Sequence, residues 1–530
     1  MAEVRRFSVR DVVAGVSVAL LLIPQSMAYA ELAGLPPHVG LYAAALPPIA
    51  AALVASSPYL QTGPVALTSL LTLGALVPLA EVQSGDYVAL AILLALIVGI
   101  TRLLVGVLRA GGVAYLMSQP VLLGFTSAAA ILILSSQLPG ALGVTDGPAG
   151  GVLGQAFWAA SHPGSWEVAS LALAGGTVAL TLGGRRIHPL IPGVLLASVG
   201  GLVWSMITGY GGPVVGDVPR GFPTPTLVLP WSALPALLVP GIVIALVGFA
   251  EAASISRTFA AQDREPWDPN REFVGQGLAN VAAGLSAGFP VGGSFSRSSI
   301  NRMAGATSRW SGAVTGFVVL AFLPFAFVLA PLPRAVLSAI VISAVVSLVK
   351  IRPLLRLMKL SPLQAMVGIG TFAFSLLLAP RVDQAVLLGV IMALGVHAWR
   401  EMRPHLRHWV EGDTLHVQPE GVLWFGSAPK VEEEAFRLLF RDHDTTRIVF
   451  HLQGLGRIDY TGALGLKQLK EDANAADIPI EFRDVPLHAE RIMGKVLAWR
   501  RADESSEDRS RPTPSGAPGP VVHGPMGGSA

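Results

Sequence analysis

Between about Asp11 and Trp399, apolar runs alternate with short polar breaks, and after about Glu411 the pattern becomes that of an ordinary soluble chain. A bilayer-spanning helix needs about 20 largely apolar residues. Ten runs predict such helices: 12–30, 88–108, 121–138, 168–182, 190–207, 234–253, 311–329, 334–348, 363–379 and 385–399. Four more, at 39–55, 63–80, 275–288 and 293–306, are interrupted by Gly and Pro and predict shorter or broken helices. The expectation is an α-helical polytopic membrane protein of about 14 segments. The first run is too long, and too deeply embedded in a continuing pattern, for a cleaved signal peptide.

The basic residues test that topology. With 14 spans and both ends in the cytoplasm, the inside loops carry roughly 18 Lys and Arg against 3 outside, the bias expected of a cytoplasmic face. Arg102 and Arg109, Arg257 to Arg271, and the group Lys350, Arg352, Arg356 and Lys359 all count as inside loops. The outside set is Arg220, Arg334 and Arg381. Near 209–232 the membrane part divides into halves of about seven spans. Seven is odd, so the halves are inverted relative to each other.

Composition agrees and narrows the chemistry. Of 530 residues, 52% are hydrophobic and 13% charged, with a net charge of +3 and a mean hydropathy of +0.59. No basic field asks for nucleic acid. There is no Cys, which excludes disulfides, thiolate catalysis and Cys-ligated metals. No His, Asp and Glu cluster has metal-ligand spacing, and no Gly-rich phosphate loop is present, so neither a metal nor a cofactor is expected.

Each half holds one Gly/Pro-broken segment in third position, TGPVALTSL from Thr62 and FPVGGSFSRSSIN from Phe289. Paired interruptions of this kind point to a transporter's binding site. A half-helix that starts at mid-membrane aims free N–H groups and a positive dipole end at the site. Two such ends facing each other suit an anion.

These stretches resemble the SulP sulfate-permease family of anion transporters. The resemblance rests on IPQSMAYAELAGLPPHVGLYAAALPPIAAALVASSPYLQTGPVALTSL and DPNREFVGQGLANVAAGLSAGFPVGGSFSRSSINRMAGATS, and it extends over about Phe7 to Arg500. It implies a seven-plus-seven inverted repeat in which a core domain moves against a gate domain. It also implies a cytoplasmic STAS domain at the C-terminus. The expected organisation is a cytoplasmic N-terminus (1–10), a transmembrane domain (11–405), a STAS domain (411–502) and a disordered tail (503–530).

By the same resemblance, the pocket lies between the half-helices and takes Gln25 and Tyr29 from the first span, Gly63 and Val65 from the third, and Phe295, Ser296 and Arg297 from the tenth. Gln25 and Tyr29 are four apart and share a helix face. Arg297 is a cation inside an apolar segment, which is costly unless it faces a cavity or a partner. Its fork suits oxyanion oxygens, and a structural bridge to Glu251 is its other reading. Glu251 is an intramembrane carboxylate, and Glu31 follows the first span. Either is a candidate proton site for coupled transport. Asp268 and Asn270 in DPNRE are expected to cap the ninth span rather than bind metal.

From Asp413 the chain reads as a small α/β domain, with LHVQP and VLWFG as a hairpin. In DYTGALGL, Thr461 occupies the place that is phosphorylated in bacterial relatives of the STAS domain, while its plain reading, with Asp459, is a helix cap. The function expected is secondary active transport of a small oxyanion, sulfate foremost, probed against C4-dicarboxylate and bicarbonate. Proton coupling is favoured over sodium, with a homodimer in the inner membrane. A channel or anion sensor is the rival class. An enzyme fits poorly, because the C-terminal part lacks a nucleophile–base pair. A nucleobase symporter shares the fold but would not want Arg297.

Overall fold

The computed structural model describes residues 7–145, 147–148, 150–188, 191–224, 228–441 and 445–497. The expected tail (503–530) and most of the N-terminal segment lie outside the described residues. The chain divides into two compact units, Met1–Leu394 and Gly395–Ala530.

The first unit is helical. Its first half comprises α1 (Val9–Leu32), α2 (Pro37–Val54), α3 (Ala66–Leu76), α4 (Gly85–Val107), α5 (Gln119–Leu142), α6 (Val152–Ser161), α7 (Val168–Val178), α8 (Gly184–Ile187) and α9 (Gly193–Thr208). A π turn joins α7 to α8. The second half comprises α10 (Leu234–Asp263), α11 (Pro269–Leu285), α12 (Phe295–Met303), α13 (Trp310–Phe322), α14 (Arg334–Val345), α15 (Ile351–Leu360), α16 (Pro362–Leu377) and α17 (Val382–Glu401). Among the described residues, 8 helices are long and apolar enough to cross a membrane. Each of the 14 predicted segments coincides with helix. Three of the helices named here lie outside those segments: α6, the four-residue α8, and α15, whose stretch was counted as a basic loop.

The helices sort into two groups. α1, α2, α4, α10, α11 and α13 pack together, and α5, α7, α14 and α16 form the second set. Small residues let backbones approach inside each. A Cβ on Gly99 of α4 would lie 2.7 Å from the backbone nitrogen of Val281 in α11. A Cβ on Gly124 of α5 would lie 2.1 Å from the carbonyl oxygen of Gly368 in α16.

The short helices α3 and α12 each follow an extended pair, β1 (Thr62–Gly63) and β2 (Gly292–Gly293). A residue before proline is pushed out of the helical region, which keeps Gly63 ahead of Pro64 extended. The pairs form an antiparallel ladder, Thr62 opposite Gly293 and Gly63 opposite Gly292. Gly293 is tightly enclosed: a Cβ there would meet Leu60 Cδ1 at 2.8 Å and Ala252 Cβ at 3.1 Å. The two half-helices therefore start from one shared point.

The second unit is an α/β fold. β3 (His405–Glu411), β4 (Thr414–Leu423), β5 (Arg447–His451), β6 (Leu455–Ile458) and β7 (Ile480–Arg483) combine with α18 (Ala428–Arg441), α19 (Tyr460–Ala475) and α20 (Leu487–Leu497). The sheet order is β3-β4-β5-β7, with β6 also on β4. The expected hairpin is corrected here. LHVQP lies within β4, and VLWFG begins on the same strand. The hairpin is β3 with β4, closed between Glu411 and Thr414, and Gly412 supplies the positive φ of 64° that the tight turn needs. What looked like a turn is a bulge at Gly421 and Val422, where β4 passes from β5 to β6. β3 also starts before the expected boundary at 411, because a strand this exposed carries no apolar alternation to announce it.

Candidate functional site

A cavity of about 1200 Å³ opens where α3 and α12 begin. Its wall includes Tyr29 of α1, Val65 at the head of α3, Glu251 of α10, and Phe295 and Ser296 of α12. Sequence reasoning thus placed five of its candidates on one surface. Gln25, Gly63 and Arg297 stand behind that surface. Gln25 is 3% exposed and Arg297 fully buried. A Cβ on Gly63 would lie 3.5 Å from Arg297 Nη2, so the guanidinium rests against β1.

Local chemistry fixes Arg297 there. The Ser294 hydroxyl caps α12 and accepts from the Arg297 backbone N–H at 3.4 Å. None of the three guanidinium nitrogens has a hydrogen-bond partner among the described residues. Glu251 is close enough to act on the charge electrostatically, yet it forms no hydrogen bond with it. An unpaired buried cation is strongly unfavourable, so this arrangement is suited to receiving an anion.

Glu31 is not among the residues lining the cavity. It ends the last turn of α1 and pairs with Arg334 Nε at 3.3 Å, at the start of α14. Arg334 also donates from Nε to the Val214 carbonyl at 3.1 Å. The carboxylate that follows the first span thus ties α1 to α14.

Three polar features that sequence reasoning missed brace the site. Arg102, counted as a loop cation, is fully buried. It donates to the carbonyls of Ala245 at 3.0 Å, Val291 at 2.9 Å and Ile244 at 3.3 Å. Asn280 clasps Val291 from the other side, accepting from its N–H at 2.9 Å and donating to its carbonyl at 3.1 Å. The strand leading into α12 is thereby held by two side chains. The strand leading into α3 is held at Thr62, whose hydroxyl accepts from Gln276 Nε2 at 2.7 Å.

Asp11 is the third brace. Its buried carboxylate accepts from the backbone N–H groups of Ser8, Thr307 and Ser308 and from the hydroxyls of the same three residues, at 2.7 to 3.2 Å. The spacing Ser8 to Asp11 is a capping signal that could have flagged it. Asp268 caps α11 as expected, accepting from Asn270 and Arg271 N–H groups.

In the second unit, Thr461 is exposed in the first turn of α19, and Asp459 caps that helix through the Gly462 N–H at 2.7 Å. A row of ionisable side chains was not foreseen. His416 and His451 share a hydrogen bond of 3.0 Å, His451 meets Asp484 at 2.7 Å, and Trp409 stacks on both rings. Among the described residues no group of three or more His, Cys, Asp or Glu side chains is arranged to hold a metal.

Residues 9–371 match the model described as the sulfate permease family. A probable sulfate transporter of Mycobacterium tuberculosis is 37% identical over 330 residues, 60% of this chain and 58% of that protein. The chain thus matches little more than half the length of that relative. The sodium-independent sulfate anion transporter of Bos taurus is 31% identical over 506 residues, 87% of this chain and 81% of that protein. Among solved structures, the murine Solute Carrier 26 family member A9 anion transporter superposes with a TM-score of 0.85 at 19% identity, covering 93% of this chain and 88% of that one. The transmembrane domain of the cyanobacterial bicarbonate transporter BicA gives 0.62 at 24% identity, covering 74% of this chain and 99% of that one. At these identities the superpositions speak for the fold.

Proposed function

The chain belongs to the sulfate permease family, and on that premise we propose that it is a secondary active transporter of a small oxyanion, sulfate foremost. The names of its relatives support the substrate class. The observation that carries the reading is Arg297, buried without a hydrogen-bond partner beside the start of α12. An oxyanion at the head of α3 and α12 meets two sets of free N–H groups and one full positive charge. Tyr29 and Ser296 add uncharged donors from the wall. Such contacts hold an anion without trapping it.

Glu251 faces the same cavity and is our proton site. An anion and an ionised carboxylate repel each other in a dry site, so the anion enters together with a proton on Glu251. Glu31, paired to Arg334, serves structure in this reading. Alternating access comes from the group holding α3 and α12 moving against the group built on α5 and α14. We assign the C-terminal unit as a cytoplasmic STAS domain, with Thr461 its regulatory site and the chain a homodimer in the cell's inner membrane. The Lys and Arg asymmetry supports cytoplasmic termini even without Arg102.

The test is uptake by the purified full-length chain in liposomes, with and without an inward proton gradient, offering sulfate, fumarate and bicarbonate. One anion is expected to accumulate under the gradient. Arg297→Ala should lower its uptake at least about tenfold, the least expected from losing a buried charged contact. Glu251→Gln should leave exchange but remove the dependence on the gradient. Uptake indifferent to Arg297→Ala would overturn the site. A non-saturating current without proton dependence would make the protein a channel.

A further inference from the structure

Helix α15 is unlike its neighbours. It lies between the membrane helices α14 and α16, but three of its ten residues are cations, Arg352, Arg356 and Lys359, and none is acidic. The spacing of four and three residues sets all three on one face, and all three are exposed. None is ion-paired among the described residues. The opposite face is apolar. Leu354 is 2% exposed, and a Cβ on Gly368 of α16 would lie 2.9 Å from Leu354 Cδ1 and 3.4 Å from Leu357 Cδ1. α15 thus folds back along the start of α16. Leu355, Met358 and Leu360 flank this contact and remain 48%, 51% and 79% exposed.

A helix with this composition does not cross hydrocarbon, because its cations would be stranded there. Nor does it lie in open water with its leucines uncovered. Its attachment to two membrane helices keeps it within a few residues of the bilayer surface. We propose that α15 is a binding surface for anionic phospholipid headgroups. Arg352, Arg356 and Lys359 take the phosphate oxygens, and Leu355, Met358 and Leu360 enter the boundary of the acyl chains. The guanidinium forks suit phosphate, and the short arc of charge concentrates two or three lipids.

The site also touches the proposed transport path. Ser347, Leu348 and Lys350, immediately before α15, lie on the wall of the central cavity. A headgroup that fixes α15 fixes that wall, so lipid charge should tune transport. This second step rests on the transporter reading, whereas the binding itself does not.

The experiment reads binding first. The full-length chain in detergent is offered equal amounts of phosphatidylglycerol and phosphatidylcholine, and retained lipid is counted by native mass spectrometry. The parent should retain phosphatidylglycerol preferentially. The triple variant Arg352→Gln, Arg356→Gln, Lys359→Gln should lose that preference on the order of tenfold or more, since each cation near a charged surface contributes severalfold. Arg352→Lys with Arg356→Lys should keep most of it, and Arg186→Gln with Arg400→Gln should keep all of it. Gel filtration guards against misfolding, and the lysine variant keeps the proposal falsifiable if the triple variant fails to fold.

Equal retention by parent and triple variant would overturn the proposal. So would equal occupancy by glycerol phosphate, which would assign the face to a soluble anion. Loss of hydrogen-exchange protection in the acid-rich helix α18 of the triple variant, with lipid retention unchanged, would assign it to the C-terminal unit. Loss of lipid selectivity without loss of anion uptake would leave the surface standing and separate it from transport.

Discussion

The half-helices α3 and α12 begin at the same ladder, yet they do not offer the same chemistry. α3 starts at Val65, whose side chain satisfies none of the free N–H groups behind it. α12 starts at Ser294, whose hydroxyl caps it, and carries a buried guanidinium at its third residue. The approaches differ too. The strand before α12 is clasped at Val291 by a guanidinium, that of Arg102, and by Asn280, while the strand before α3 is held by uncharged groups alone, Thr62 by Gln276 and the Gln61 N–H by Ser298. An inverted repeat copies backbone direction, not side chains. One end offers a partial charge and is held by neutral hydrogen bonds, whereas the other holds a full charge and is held in part by a second buried cation.

This contrast yields an order of effects. The largest is functional: Arg297→Ala should abolish measurable uptake, whereas Val65→Ala should change it less than about fivefold, since only van der Waals contact is lost. Equal losses would mean that the ends act alike. Next comes stability. Arg102→Leu removes three charge-assisted bonds that tie α10 to the Val291 carbonyl and should cost about 2 kcal/mol or more. Gln276→Leu should cost about 1 kcal/mol, because one hydroxyl loses one bond. Thermal melting in detergent compares them, and a larger loss for Gln276→Leu would reverse the assignment of the braced side.

Val65→Ser should supply the missing cap and stabilise the start of α3 by about 1 kcal/mol. Tighter anion binding with slower turnover would be its signature in uptake kinetics. The smallest effect lies in the C-terminal unit. The hydroxyls of Thr446 and Thr414 hold the exposed Asp413 carboxyl below its ordinary range. Its folded value is depressed, so its contribution is present above the usual carboxylate range and fades as pH falls through that lowered value. Thr446→Val should return the Asp413 titration, followed by NMR, toward the ordinary carboxylate value.

Much of the membrane fold was legible because burial in lipid writes itself as long apolar runs, and broken helices as Gly and Pro within them. At the candidate site those breaks marked the two half-helices, whereas Gly63, Val65, Phe295 and Arg297 were named by the family resemblance. Arg102 was not legible, since a cation near the end of an apolar run reads the same whether it faces water or three carbonyls from other helices. The pairing of Glu31 was not legible either, because its partner Arg334 is distant in sequence. Helix α15 shows a different limit: its charges were counted as a loop, although their spacing already carried a helical period. In the C-terminal unit, a bulge at Gly421 imitates a turn, and only its strand partners tell them apart.

The ladder at the heart of the site also bears on how the protein is made. Ser298 accepts a hydrogen bond from the Gln61 N–H at 2.9 Å, and the two lie 237 residues apart along the chain. When α3 emerges from the ribosome, nothing that will pair with β1 has yet been synthesised. The first half must therefore wait in the membrane with an unpaired strand and a half-length helix, and it is completed only when the second half arrives. An arrested chain ending before β2 should remain sensitive to proteases and dependent on the insertion machinery, and extending it past Ser298 should release it.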